Sequence, residues 1–352
     1  FGENHPTVAI DYSNLGAIYH EQGNLNKAAE YINKALAINL NLFGEYHPDG
    51  ANCCNNLGTI YREQGNLNKA AEYSNKAFAI DLKLFGEYYP KVAIDYNNLG
   101  LIYQDQGNLS QAEECSSKAL AINLKLFGEY HSSVATNYNR LGQIYEDQGN
   151  LDKAEEYTKK ALAIELKLFG ENHLEVAICY NNLGAIYLEQ GNLSQAEECS
   201  SKALAINLKL FGENHPDVAI GYNNLGLIYK DQGKLGQAEE CSSKALAINL
   251  KLFGENHPDV AIDYNNLGTL YQEHGNLGQA AEYVKKALAI NLKLFGENHP
   301  DVAIDYNNLG QIYKEQGNLS QAEECSNKAL AINLKLFGVY HSSVATNYNS
   351  LG

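Results

Sequence analysis

The sequence predicts an all-α fold, a solenoid of antiparallel helix pairs, on three observations. A stretch of 42 residues, most regular from Phe211 to Leu252, restarts at Phe1, Phe43, Phe85, Phe127, Phe169, Phe253 and Phe295, and a partial ninth copy occupies 337–352. Within each copy apolar residues recur at helical spacing, and glycines punctuate the copy at two points. A fixed period of this length marks an array in which each unit buries its apolar face only against its neighbours, so 1–352 is read as one solenoid.

Each repeat begins with a linker that leads into the first helix. In His215-Pro216-Asp217 and His257-Pro258-Asp259 the Pro suits the first helical position, and the Asp favours the positive end of the helix dipole. Ala219, Tyr222, Leu225, Gly226 and Tyr229 then form the stripe that faces a partner helix. Gly226 sits mid-helix, where it costs about 1 kcal/mol against Ala. That cost is expected where another helix comes very close. Gln232-Gly233 ends the helix, Gly233 suiting the left-handed conformation of a helix stop.

The second helix is predicted to start at Gly236 and its equivalents Asn26, Asn68, Ser110, Asp152, Ser194, Gly278 and Ser320, all preferred N-cap types. A complete capping box is read in Ser110-Gln111-Ala112-Glu113, Ser194 to Glu197 and Ser320 to Glu323. The helix runs through Ala238, Ala245, Leu246, Ile248, Leu250 and Leu252 to Phe253, and Gly254 stops it. Its small alanines permit close helix approach, and its wide apolar band suits a helix sandwiched between neighbours.

Tyr222-x2-Leu225-Gly226-x2-Tyr229, followed by Ala238 and Ala245, resembles the tetratricopeptide repeat (TPR) signature, with Tyr in place of the usual Trp. The longer period, with Leu-x-Phe-Gly-Glu-x-His-Pro-Asp-Val-Ala and Asn-Asn-Leu, is similar to the kinesin light chain type of that repeat. The resemblance runs through the whole chain. It implies a right-handed superhelix whose first helices line a concave groove. Ser242 and Cys241 stand where an aromatic is usual, while Tyr31, Tyr73, Tyr157 and Tyr283 restore one nearby. No Pro closes the second helix, which is therefore expected to be longer than usual.

The net charge of −16 is spread as about two excess negatives per repeat. A chain so charged is not expected to bind nucleic acid, which needs clustered Lys and Arg, or an anionic membrane surface. No stretch approaches the ~18 apolar residues of a membrane span, and no signal-like segment opens the sequence. The chain holds no Met, starts inside a linker and stops inside a helix, and is expected to be a piece of a longer array. An uncapped helix end at Leu351-Gly352 points to fraying or end-to-end self-association.

Cys115, Cys199, Cys241 and Cys325 share one repeat position, a whole repeat apart and beyond the ~7 Å a disulfide spans. With Cys53, Cys54 and Cys179 they are read as reduced cysteines of a cytoplasmic protein. The linker histidines (His5, His47, His131, His173, His215, His257, His299 and His341, with Tyr89 in the third repeat) are read as packing on or capping helix ends. Positions a repeat apart cannot converge within ~2–2.5 Å of one ion. No nucleophile with a base and no phosphate loop stands out, so neither enzymatic activity nor any metal or cofactor is expected.

The candidate site lies on the first helix, away from its core stripe. Ile220, Asn224, Leu227 and Asp231 share one face. Asn14, Asn56, Asn98, Asn182, Asn266 and Asn308 are equivalent to Asn224, and Arg140 alone breaks the run. Mid-helix Asn is worse than Ala by about 0.5–0.7 kcal/mol, and a cost so repeated asks for a reason. The resemblance implies one, since an Asn at this place commonly binds the main chain of an extended peptide. An amide pairs with a peptide group whatever its side chain. The alternative is that these amides bond to one another or to neighbouring helices and only set the stacking geometry, a reading favoured for the Asn223 row. Beside the ladder, Leu101, Gln143, Leu227, Thr269 and Gln311 occupy one variable position and Lys230 and Lys314 another, as selective recognition requires. Asp231 and its acidic equivalents are either a groove for a basic ligand or a solvated rim.

The function expected is a protein-binding scaffold or adaptor for a peptide or partner protein; the alternative is the regulatory or sensor part of a larger enzyme or signalling ATPase. The second repeat, with Gly50 for Val and Cys54 for Tyr, is expected to be the softest.

Overall fold

The computed structural model describes residues 4–338. The predicted ninth repeat and the chain end at Leu351-Gly352 lie outside them. The described residues form sixteen helices and no strand. The leading helices of the eight repeats are α1 (Pro6–Glu21), α3 (Pro48–Glu63), α5 (Pro90–Asp105), α7 (Ser132–Asp147), α9 (Leu174–Glu189), α11 (Pro216–Asp231), α13 (Pro258–Glu273) and α15 (Pro300–Glu315). The following helices are α2 (Leu25–Phe43), α4 (Leu67–Phe85), α6 (Leu109–Phe127), α8 (Leu151–Phe169), α10 (Leu193–Phe211), α12 (Leu235–Phe253), α14 (Leu277–Phe295) and α16 (Leu319–Phe337). They have 19 residues against 16 for the leading helices, the extra length expected of a helix with no terminal Pro.

Two compact units divide the chain, one ending at Glu171 and the other beginning at Asn172. Inside each, a following helix packs on its own leading helix and on the leading helix of the next repeat. Leading helices also touch directly, as in α3 with α5 and α11 with α9. This is the all-α solenoid order predicted from the period.

Local chemistry sets each boundary. The His215 ring Nδ1 accepts from the backbone N–H of Asp217 and the ring stacks on Phe211 at 4.0 Å, so the linker histidine both caps α11 and packs on the preceding helix. Gly233, at φ 71°, ends that helix in the left-handed region. Its neighbour Lys234 donates its N–H to the Tyr229 carbonyl, closing a three-residue turn.

That closure corrects the predicted start of the second helix, which comes earlier. The N-cap is Asn24, Asn66, Asn108, Asn150, Asn192, Lys234, Asn276 or Asn318, two residues before the predicted position. Asn24 Oδ1 accepts from the N–H of Lys27, and Asn276 Oδ1 from that of Gln279. Ser110, Ser194 and Ser320 lie inside the first turn, so the capping boxes read there do not form. The turn hydrogen bond, such as Asn24 N–H to the Tyr19 carbonyl, leaves the Asn no choice but to open the next helix.

The core is a series of inter-helix seams. Val92, Val134, Val176, Val218, Val260 and Val302 are fully buried, as are Ala238 and Ala245. A Cβ added at Gly226 would stand 3.0 Å from Ser242 Oγ on α12, which is the close approach its mid-helix place suggested. All seven cysteines are buried, and none of them forms a disulfide.

Candidate functional site: an amide ladder on the leading helices

On α11 the outward face carries Ile220, half exposed, then Asn224, Leu227 and Asp231. Ile262 and Ile304 repeat the exposed isoleucine on α13 and α15, as do Ile10 and Ile94 on α1 and α5. Asn14 and Asn56 are exposed on α1 and α3. Asn98 and Arg140 on α5 and α7, and Asn182, Asn224, Asn266 and Asn308 on α9, α11, α13 and α15, are half-buried.

The amides behind the ladder hold it. Asn98 Nδ2 donates to Asn55 Oδ1 at 3.4 Å, Asn266 to Asn223 at 3.4 Å and Asn308 to Asn265 at 3.5 Å. These long bonds engage one N–H of each rung. The rung oxygens of Asn98, Asn266 and Asn308 accept no hydrogen bond among the described residues. Arg140 departs from the row, donating Nη1 to the Asn97 carbonyl at 2.8 Å, and burial pushes its guanidinium down to about 10.

The Asn223 row is occupied by bonds between successive leading helices. Asn55, Asn223 and Asn265 donate to Asp95, Asp263 and Asp305 of the next leading helix at 2.5–2.6 Å, and Asn97 accepts from Asn137. From the other side Asn249 and Asn291 donate to Asp263 and Asp305 at 2.7 and 2.8 Å, and Asn123 to Asn137 at 2.7 Å. Each such junction is a buried polar triad. Burial raises the Asp263 and Asp305 carboxyls against the pull of their amide donors, Asp305 to about 6. Sequence reasoning missed the triads. The signal was present as a polar residue recurring in every repeat inside the apolar stripe of the following helix, as at Asn249 and Asn291, and in several repeats on the leading helix, as at Asp263 and Asp305.

The variable positions divide. Gln143, Leu227, Gln311 and Lys314 are exposed, and Leu101 is partly covered. Thr269 Oγ donates to the Asn265 carbonyl at 3.0 Å. Lys230 lies 3.7 Å from Glu273, Arg62 2.5 Å from Asp105 and His20 2.8 Å from Glu63, while Gln104 donates to Asp147 and Gln272 to Glu315. The acidic row is thus largely a rim, with Glu63, Asp105, Asp147, Glu273 and Glu315 each engaging the variable residue of the repeat before it. Between α11 and α13 a cleft of about 60 Å³ opens among Asn223, Gly226, Leu227, Lys230, Asn266 and Thr269. Its counterpart between α1 and α3, about 130 Å³, is lined by Gly16, Ala17, His20, Ile32, Asn56, Thr59 and Ile60.

Other chemistry is sparse. Burial drives the Cys54 and Cys115 thiols up to about 11, away from a reactive thiolate. Among the described residues no three His, Cys, Asp or Glu side chains converge as a metal site, and no helix is long and apolar enough to cross a membrane.

The profile of the tetratricopeptide repeat family matches residues 7–83, 91–164, 133–209, 180–248, 217–293 and 282–335. No curated protein matches the chain. Among solved structures, BtubC (BKLC) from P. vanneervenii is 30% identical, over 66% of this chain and 93% of that one, with a TM-score of 0.57. A kinesin light chain described as having nearly identical TPR-like repeats, from Podosopora anserina, is 24% identical over 59% of this chain and 98% of that one, at 0.51. A signal transduction ATPase with a tetratricopeptide repeat sensor, from Pyrococcus horikoshii, is 16% identical over 98% of this chain and 50% of that one, at 0.63. With the profile matching repeat after repeat on helix pairs of the same order, this chain belongs to the tetratricopeptide repeat family.

Proposed function

We propose that the chain is one TPR array serving as a protein-interaction scaffold or adaptor, and that the outward face of its leading helices binds an extended segment of a peptide or partner protein. The observation that carries this reading is the amide ladder. Asn98, Asn266 and Asn308 spend one N–H on the helix behind them and keep the carbonyl oxygen and the second N–H for solvent. A donor and an acceptor so held match a peptide group of any residue. The half-exposed isoleucines beside the ladder and the clefts between successive leading helices supply apolar contact for alternate ligand side chains. Arg140 marks a rung that would bind differently, as a cation. In this reading the chain is not an enzyme, acts in the cytoplasm, and binds neither nucleic acid nor membrane.

Peptides selected on the wild-type chain from a display library test the reading. Asn224→Ala with Asn266→Ala and Asn308→Ala should leave the helical circular dichroism intact and weaken the selected peptides at least tenfold, with about 1 kcal/mol lost per hydrogen bond. Equal affinity for wild type and triple variant overturns it. A second reading, the sensor region of a larger signalling protein, is favoured by the coverage of 98% of this chain within half of the Pyrococcus horikoshii ATPase. Both readings use the same face.

A further inference from the structure

Six junctions between successive repeats lie inside the two units, and in five of them no acid meets an acid. The triad position on the following helix is Asn39, Asn123, Asn207, Asn249 or Asn291, and it meets Cys53, Asn137, Gly221, Asp263 or Asp305. Between the second and third repeats Asp81 of α4 stands there instead, and it faces Asp95 of α5. Both side chains are fully buried. Asp95 Oδ1 accepts from Asn55 Nδ2 of α3 at 2.6 Å. Asp95 Oδ2 and both oxygens of Asp81 have no hydrogen-bond donor.

Two ionised carboxylates at hydrogen-bonding range, away from water, repel each other and lack donors on three oxygens. A single proton resolves both problems, because the protonated group donates an O–H to its neighbour. We propose that Asp81 and Asp95 hold one proton between them, and that this proton ties α4 to α5, so that the joint between the second and third repeats loosens in alkaline solution.

The surroundings favour the proton. Burial pushes both carboxyls up, Asp95 to about 7, with the neighbouring acid adding to the effect on Asp95. From α3 the pair is faced by the amide of Asn55, which does not titrate. From α5 the charged group that bears on both acids is Lys91, which favours their ionised forms, and its Nζ donates to Asn52 Oδ1 at 3.1 Å. An aspartate of an unfolded chain titrates near 3.9. The folded joint therefore holds more protons than the unfolded one, and its stability is full at acid pH and lost as the pH rises through about 7.

The pair is wired to the ladder, since Asn55 also accepts from the rung Asn98. Control of ligand binding by this proton would rest on the function proposed above; the joint itself does not.

The test uses the full chain and needs no ligand. In wild type at pH 7, infrared spectroscopy should show the carbonyl band of a protonated carboxylic acid, and Asp81→Asn should diminish it strongly. Hydrogen exchange, corrected for the intrinsic pH dependence, should lose up to about tenfold protection per pH unit in peptides from α4 and α5 as the pH rises from about 4 to about 7, and level off above. Peptides from α13 and α14 serve as the internal reference. Asp81→Asn, which recreates the Asn249 and Asp263 arrangement, should flatten that loss. Parallel loss in wild type and variant, or two ionised carboxylates in wild type at pH 7, overturns the proposal.

Discussion

Between the sixth and seventh repeats two amides, Asn223 and Asn249, close on the one carboxylate of Asp263; between the second and third, one amide, Asn55, meets two acids, Asp81 and Asp95. The positions are equivalent and the burial is the same. In the first case both carboxylate oxygens receive an N–H. In the second, three of four carboxyl oxygens receive none. A buried charge is tolerated when the donors around it match its lone pairs, and one atom of difference, an amide nitrogen against an oxygen, reverses the balance.

The largest expected effect breaks the comparison by removing each centre. Asp305→Ala leaves Asn265 and Asn291 with buried N–H groups and no acceptor, and should destabilise the second unit by about 2–4 kcal/mol in urea unfolding. Asp81→Ala, at an acid no donor serves, should be neutral or stabilising at pH 8. Equal losses from the two substitutions would show that the triads are not distinguished by their donors.

Next in size, Asp81→Asn should stabilise the first unit by about 1–3 kcal/mol at pH 8 and by little at pH 5. Each acid's folded value lies above its unfolded one, so stability falls as pH rises between them. Asp305, at about 6, completes most of its loss below neutrality, whereas Asp95, at about 7, is still titrating there. Thermal melts from pH 5 to 8.5 should separate these windows, the variant losing the higher one.

A smaller gain is expected from Gly50→Val in the second repeat. A Cβ there meets nothing within 4 Å, while the equivalent Val92 and Val134 of the same unit are fully buried. Filling the site and removing a helical Gly should add about 1–2 kcal/mol, read as a shift in urea midpoint.

The smallest effect concerns the linkers. Lys83 lies over the Tyr46 ring at 3.2 Å in the first unit, and Lys293 donates to Asn256 at 2.9 Å in the second. Lys83→Ala and Lys293→Ala should each cost below about 1 kcal/mol, the former being less sensitive to the loss of one specific hydrogen bond. A larger loss at either would show that these exposed latches carry more of the linker's order than surface contacts do.

Much of this architecture was legible because it is local. Pro216 at the start of a helix, Gly233 and Gly254 at its stops, and the His215 cap depend on a few neighbouring residues and reappear every repeat. The N-cap at Lys234 and its Asn equivalents was misread by two residues. The turn's own backbone bond selects the cap, and side-chain preference pointed instead to Ser110 and its kin. The ladder was legible as a row of costly amides, and its surroundings were not. Asn223 and Asn224 look alike in sequence, yet one is bonded to the next repeat and the other faces outward with Ile220 and Leu227.

By itself, then, the sequence determined the period, the helix pairs and the helix face that carries the repeated amides, because helix periodicity and terminus chemistry act over a few residues. Tertiary structure alone decided which acids meet which amides. Asp81 and Asp95 are fourteen positions apart and Asn55 forty from Asp95. Only the packing of α3, α4 and α5 brings the three side chains into one dry seam, where a proton outweighs a charge.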